Sequence, residues 1–177
     1  MKRVQREAVS RFLADGFGQV TIEEIAGAAE VSPMSVYRWF GTKEALVLWD
    51  EFDPPILAEV ARQLERHAPV VAVRNAMIAM LDDVYDRERD LTLDRARLIF
   101  REPALVAAAE QNSRALRAAL ETMFTEQAGL DAVGATATAA VAVALLTVAI
   151  ESWQDHDGER PLADLIAEIF DVLEGSS

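Results

Sequence analysis

The sequence predicts an all-α protein with a small N-terminal helix-turn-helix head on a larger helical body. Three observations point there. Apolar residues recur at three- and four-residue spacing from end to end, and no alternating β-branched run bounded by turn residues appears. Helix-starting residues (Thr21, Ser32, Thr42, Asp131) and helix-stopping glycines (Gly16, Gly41) punctuate that pattern. Of 177 residues 51% are apolar, with only 8 Gly and 6 Pro, enough to build a core and too ordered a composition for a disordered chain.

The first helix is expected from near Lys2 to Asp15, with Val9, Phe12 and Leu13 on one face and Gly16 ending it in a left-handed turn. Thr21-Ile22-Glu23-Glu24 reads as a capping box. The Thr21 hydroxyl takes a free N–H three residues on and Glu24 reaches back, with Ile22, Ile25, Ala26 and Ala29 as the buried stripe. Only Glu30 and Val31 intervene before Ser32, an N-cap followed by Pro33 at the first helical position, where no N–H is needed. Gly41 breaks that third helix and Thr42 caps a fourth. Asp53-Pro54-Pro55 interrupts it, and Pro55 is placed to open a helix through Arg66. The junction falls near residue 50, giving domains 1–49 and 50–177.

Further on, a helix is expected from Pro69 to about Arg87, a short one from Leu91 to Phe100, and a long one from Pro103 to Gln127. Asp131 caps an uncharged helix to Trp153, and Pro161 opens the last, striped by Leu162, Leu165, Ile166, Ile169, Phe170 and Leu173. The stretch Ala132 to Ile150 carries no charge. Its Ala, Val and Thr content and lack of flanking Lys or Arg make it a buried core helix rather than a bilayer span.

Charge is uneven. The net −13 divides into six basic and seven acidic side chains in residues 1–50, and eleven basic and twenty-three acidic in 51–177. A nearly neutral head on an acidic body restricts nucleic-acid contact to the head. The head has suitable parts. From Ser32 to Phe40, Val36 and Phe40 sit four apart and point inward, leaving Met34, Ser35 and Arg38 free to meet base edges. Tyr37 and Trp39 flank that surface, and the helix starts at Thr21 and at Thr42-Lys43 offer N–H groups and dipoles to phosphate oxygens.

The run Thr21-Ile22-Glu23-Glu24-Ile25-Ala26, then Val31-Ser32-Pro33-Met34-Ser35-Val36-Tyr37-Arg38-Trp39-Phe40-Gly41-Thr42-Lys43-Glu44-Ala45-Leu46, resembles the N-terminal signature of the TetR family of transcription repressors. That pattern is T-I-E-x-I-A followed by V-S-x-x-x-x-Y-x-x-F-x-x-K-E-x-L. The resemblance implies about nine helices, a two-fold homodimer on a palindromic operator, and DNA contacts from Thr21, Ser32, Pro33, Met34, Ser35, Tyr37, Arg38, Trp39, Thr42 and Lys43. The chain departs from the pattern at Glu30, where the family commonly has Gly; a left-handed backbone there costs a side chain about 1–2 kcal/mol. Its N-terminal basic residues are limited to Lys2, Arg3 and Arg6.

For the body, the small residues Ala137, Ala140, Val141 and Ala144 and the apolar stripe Leu162, Leu165, Ile166, Ile169 and Phe170 are expected to form a dimer interface. An effector cavity is expected among Met77, Met80, Leu81, Tyr85, Leu98, Leu105, Leu116, Leu120 and Phe124. Asn112 falls on an otherwise apolar face, to be satisfied by a ligand or by neighbouring helices. The segment Asp94 to Leu105 resembles TetR relatives described as binding acyl-CoA-like ligands, which implies phosphate contacts from Arg95, Arg97 or Arg101; a neutral hydrophobic effector is the rival.

Absent cysteine excludes thiolate metal sites and fits a reducing cytoplasm. Only His67 and His156 are present, neither in a di-metal helix motif, and Asp82, Asp83, Asp86, Asp90 and Asp94 read as a solvated face. No nucleophile elbow, phosphate loop or dinucleotide fingerprint occurs, so neither an enzyme nor a cofactor is expected. The competing function is a helical ligand-binding or interaction protein that keeps a degenerate head.

Overall fold

The computed structural model describes residues 1–49 and 53–174, without the side chains of 53, 54, 82–87, 173 and 174. Among the described residues are nine helices and no strand: α1 Lys2–Asp15, α2 Ile22–Ala28, α3 Pro33–Phe40, α4 Lys43–Leu48, α5 Asp53–Leu64, α6 Pro69–Arg101, α7 Pro103–Glu126, α8 Ala132–Asp155 and α9 Leu162–Glu174. Two boundaries differ from expectation. Helix α5 starts at Asp53 rather than Pro55, because both prolines fit the first turn, where their missing N–H groups have no partner to lose. The two helices expected between Pro69 and Phe100 are one. The intervening Arg87-Glu88-Arg89-Asp90 contains no Gly or Pro and is mostly good helix formers, so nothing stops the helix.

The chain divides into two compact units. One comprises Met1–Asp50 with Arg89–Glu110 and the other Glu51–Glu88 with Gln111–Ser177. The first is the head plus a buttress. Its core joins Val4, Ala8, Val9 and Phe12 of α1, Ile22, Ile25 and Ala26 of α2, Val36 and Phe40 of α3, and Leu46 and Val47 of α4. Leu91 and Leu98 of α6 and Leu105 of α7 complete the same cluster. Four short helices alone bury too little apolar surface to be secure. Each added leucine supplies roughly 1.5–3 kcal/mol of burial.

The second unit is anchored where α8 packs on α9. The buried stripe of α8 is Ala135, Ala139, Ala142, Leu146, Ala149 and Trp153, at alternating spacings of four and three. Alanines let α9 approach closely with Leu162, Ile166 and Phe170, all buried. Asp131 caps α8, its carboxylate accepting the Gly134 N–H at 2.7 Å. At the far end the Trp153 indole donates to the Arg160 carbonyl at 3.0 Å. Arg74 of α6 pairs with Asp171 of α9. By length and composition α8 alone among the described helices could cross a bilayer. It is not the wholly buried helix expected from its lack of charge, since Val133, Ala137, Val141, Ala144 and Val148 are exposed on the protomer. Small side chains satisfy one neighbour, and no other described helix covers the opposite stripe.

Candidate nucleic-acid interface

Helix α3 exists because its ends are chemically specified. Ser32 Oγ accepts the Ser35 N–H at 3.1 Å, and Pro33 follows at the first helical position. Gly41 ends the helix at φ 77°, a left-handed conformation that costs glycine little. Its two faces then separate by period. Val36 and Phe40 are buried in the head, with Phe40 edge-on to Trp49 at 5.9 Å between ring centroids. On the other side Met34 is 74% exposed and Tyr37 46% exposed, with Ser32, Pro33 and Arg38 also exposed and Ser35 half-buried. Arg38 has no protein partner among the described residues. An exposed thioether, phenol and guanidinium on one turn of helix are a suitable surface for a groove lined with bases and phosphates. Trp39 is half-buried against the head core, so it braces α3 rather than flanking its outer surface.

The helix starts are capped in part from within, one N–H at each. At α2 the capping box is complete: Glu24 N–H donates to Thr21 Oγ1 at 3.2 Å, and Thr21 N–H and its hydroxyl both donate to Glu24 Oε2 at 2.8 Å. These bonds, the backbone one first, hold the Glu24 carboxyl below its ordinary value. The Thr21 hydroxyl proton is therefore committed to a carboxylate. At α4 Thr42 Oγ1 accepts the Ala45 N–H at 3.1 Å. Lys43 departs furthest from expectation. Its ammonium donates to the Phe17 carbonyl and lies 4.6 Å from the Phe17 ring centroid and 5.3 Å from that of Phe12. Burial lowers its pKa, and the charges of Glu44 and Glu24 oppose that shift.

Three further side chains that sequence reading passed over, or gave other work, hold the head together. Glu30 does take a left-handed backbone, at φ 53°. Arg3 answers it, donating to the Ala29 carbonyl and to Glu30 Oε2 at 3.4 Å. Gln5, buried at 3% exposure, donates to the Trp49 carbonyl at 2.7 Å and the Val47 carbonyl at 3.4 Å. Arg95 of α6 donates to the Val47 carbonyl at 2.7 Å and the Leu48 carbonyl at 3.5 Å. Gln5 and Arg95 together cap the carbonyls at the C-terminal end of α4, where a cation is also favoured by the helix dipole. An open groove of about 480 Å³ beside α1, between Arg6, Ser10, Leu13 and the α6 residues Asp90, Leu91 and Asp94, was also not foreseen.

Comparison with known proteins is decisive for the family. Residues 6–48 match the family described as bacterial regulatory proteins, tetR family, and residues 67–176, more than half the chain, match the MftR C-terminal domain of that family. The chain belongs to the TetR family. It is 32% identical over 133 residues to the HTH-type transcriptional regulator TcmR of Streptomyces glaucescens, a match covering 71% of this chain and 59% of that protein. Among solved structures it resembles the TetR-family repressor FadR of Thermus thermophilus in complex with lauroyl-CoA, with TM-score 0.57 and 24% identity over 97% of this chain and 92% of that one. It also resembles FadR of Bacillus subtilis in complex with stearoyl-CoA, with TM-score 0.63 and 16% identity over 97% and 96%. At those identities the likeness is one of fold.

Within this TetR-family chain the residues assigned to an effector are distributed over both compact units. Leu98 and Leu105, 2% and 0% exposed, belong to the head core, and Arg95 caps α4. Arg97 pairs with Asp94 at 3.2 Å, and Arg101 is exposed at the end of α6. The spacing of Leu91 and Leu98 sets the inward direction of this part of α6, and Arg95, between them, follows it. Met77, Met80, Leu81, Leu116, Leu120 and Phe124 lie in the other unit, with Leu120 and Phe124 buried and the rest half-buried. Tyr85 lies outside the residues whose side chains are described. Asn112 is exposed rather than set in a buried apolar face. Of the dimer set, Leu162, Ile166 and Phe170 turn inward onto α8, and Leu165, Ile169 and Ala140 are half-buried. Ala137, Val141 and Ala144 remain open.

Proposed function

We propose that this chain is a DNA-binding transcription regulator, acting as a homodimeric repressor that a small hydrophobic or acyl-CoA-like effector releases from a palindromic operator. The observation that carries the reading is the outer face of α3. Met34, Tyr37 and Arg38 stand in solvent while Val36 and Phe40 anchor the helix from behind. Ser32, Pro33 and Ser35 at its start complete the base-facing surface, with Thr21 and Thr42 at its margins. Residues 1–49 form the DNA-binding domain, buttressed by residues 89–110. Residues 50–177 carry ligand binding and dimerisation.

The open stripe of α8 supports the dimer. Val133, Ala137, Val141, Ala144 and Val148 recur at spacings of four and three, and a two-fold mate brings a second such stripe against it. That use also explains a long helix without charge from Ala132 to Ile150 and fits a cytoplasmic protein. A two-fold pair presents two copies of α3 to operator half-sites about one helical turn apart. The effector favours a dimer arrangement that misfits the operator, by its differential affinity for the two arrangements. Acyl-CoA ligands in the two FadR structures favour that chemistry, with Met77, Met80, Leu81, Leu116, Leu120 and Phe124 as apolar walls.

Selection of duplexes from a random pool by the full chain, followed by competition with lauroyl-CoA, stearoyl-CoA, free CoA and the matching fatty acids, tests this. Enrichment of a palindrome and its release by an acyl-CoA but not by CoA is the expected result. Release by fatty acid alone assigns a neutral hydrophobic effector. Release by none of them removes the effector assignment, and no enrichment removes the regulator.

A further inference from the structure

We propose that Met34 selects a thymine by packing its thioether on the C5-methyl group, so that one T·A pair in each operator half-site is read by its methyl and not by its hydrogen-bonding edge. This rests on the reading of α3 as the duplex-facing helix and adds to it the chemistry of one base pair.

Met34 is the second residue of α3, and in a helix-turn-helix the first residues of the reading helix meet the base edges. Little else in that first turn can single out a base by hydrogen bonding. Pro33 has neither an N–H nor a polar side-chain atom. Ser32 Oγ and Ser35 Oγ share a hydrogen bond at 2.9 Å, and the Ser32 oxygen also accepts the Ser35 N–H at 3.1 Å. A hydroxyl pairs with donors and acceptors alike, so it selects no base on its own. Asn and Gln, which single out adenine, and Asp and Glu, which accept from cytosine, do not occur anywhere from Ser32 to Phe40. Arg38, one turn on, has the donors for a guanine.

Met34 is also the most open large apolar side chain of the head, 74% exposed against 42% for Met1 and 37% for Leu13. Val36 and Phe40, buried behind it, hold the helix so that this face stays outward. In the major groove the thymine methyl is the one apolar group that a base pair presents. A long, polarisable thioether with free rotation can follow that methyl without an exact fit. The contact carries no hydrogen bond, so its selectivity lies in the methyl alone. A 5-methylcytosine, which carries the same group at the same ring position, is read in the same way. Burying one methyl is worth roughly four-fold in affinity, and so roughly fifteen-fold for a duplex altered in both half-sites.

The experiment uses the full chain and a duplex that it enriches from a random pool. Each thymine of the half-site is replaced in turn by deoxyuracil, in both half-sites at once, which removes only the methyl. Affinity is measured at one salt concentration for wild type, Met34→Ala, Met34→Leu and Met34→Gln. One thymine per half-site is expected to show the roughly fifteen-fold loss in the wild type. Met34→Ala and Met34→Gln should bind the thymine and deoxyuracil duplexes within two-fold of each other, while Met34→Leu, still apolar, keeps part of the preference. With 5-methylcytosine·guanine at that position the wild type should bind roughly fifteen-fold more tightly than with cytosine·guanine, and Met34→Ala should not distinguish them. Because the comparison is between duplexes for each variant, a change in folding or overall affinity does not imitate it. A half-site in which no thymine is sensitive to loss of its methyl overturns the proposal and leaves the DNA reading standing. A methyl preference that survives in Met34→Ala or Met34→Gln overturns it as well. If the wild-type chain enriches no duplex, the DNA reading itself fails and the proposal falls with it.

Discussion

Arg95→Met removes the cation that α6 extends to the end of α4 while keeping most of the side chain's apolar length. The wild-type guanidinium donates to Val47 O at 2.7 Å and, more weakly, to Leu48 O at 3.5 Å, from a half-buried position. A hydrogen bond to a charged group contributes about 1.5–3 kcal/mol, and a cation at a helix C-terminus about 0.3–1 kcal/mol. The second bond is long, and partial exposure weakens the charge, so a loss of about 2 kcal/mol is expected. For a chain of this size that lowers Tm by roughly 4–8 °C. Gln5 offers a sharper check. Its amide also reaches Val47 O, at 3.4 Å, so either donor leaves that carbonyl partly satisfied when the other is removed. Gln5→Leu with Arg95→Met leaves it orphaned in the head core, and the double variant should lose more than the two singles together, by about 1 kcal/mol. Urea unfolding followed by tryptophan fluorescence, with Trp49 adjacent to the joint, reads all four chains. An Arg95→Met loss under about 0.5 kcal/mol, or strict additivity with Gln5→Leu, would refute the reasoning.

Further outcomes follow from other joints. Glu30→Gly relieves the left-handed strain at φ 53° and removes a carboxylate near the duplex; it is expected to raise stability by about 1 kcal/mol in urea unfolding and to tighten operator binding. The carboxyl of Glu24 is held below its ordinary 4.5 by the Thr21 bonds. Its stabilisation is therefore complete above about pH 4.5 and is lost as pH falls through the lower folded value. Glu24→Gln should accordingly flatten the acid limb of a Tm-against-pH profile, and an unchanged limb would contradict the assignment. Val141→Glu places a charge on the open stripe of α8 and is expected to abolish the proposed dimer in sedimentation, with folding intact by circular dichroism.

Much of the head was legible because its signals are local. The Thr21, Ser32 and Thr42 caps, the glycine stops and the Val36–Phe40 spacing each act within one turn of helix, and all appear in the structure, as does the Asp131 cap of α8 in the body. What escaped was non-local. Lys43 read only as a DNA contact because nothing in its neighbourhood announces two phenylalanine faces twenty-six and more residues away. Arg95, Leu98 and Leu105 read as effector contacts because helical period gives a face but not the neighbour it meets, and here that neighbour is the head core. The continuity of α6 was missed for the converse reason. A cluster of charges resembles a loop in composition, yet Arg and Glu are good helix formers when no Gly or Pro intervenes. The division of the α8 surface into a closed and an open stripe was hidden by its uniform alanine and valine content.

The most direct measurement is duplex selection repeated with Arg38→Ala, whose guanidinium stands on the outer face of α3. If that face reads bases, the variant should enrich the same palindrome with one base pair per half-site relaxed, at a cost of roughly 1–3 kcal/mol for that pair and little elsewhere. An enriched sequence identical in every position to that of the wild type would contradict the account.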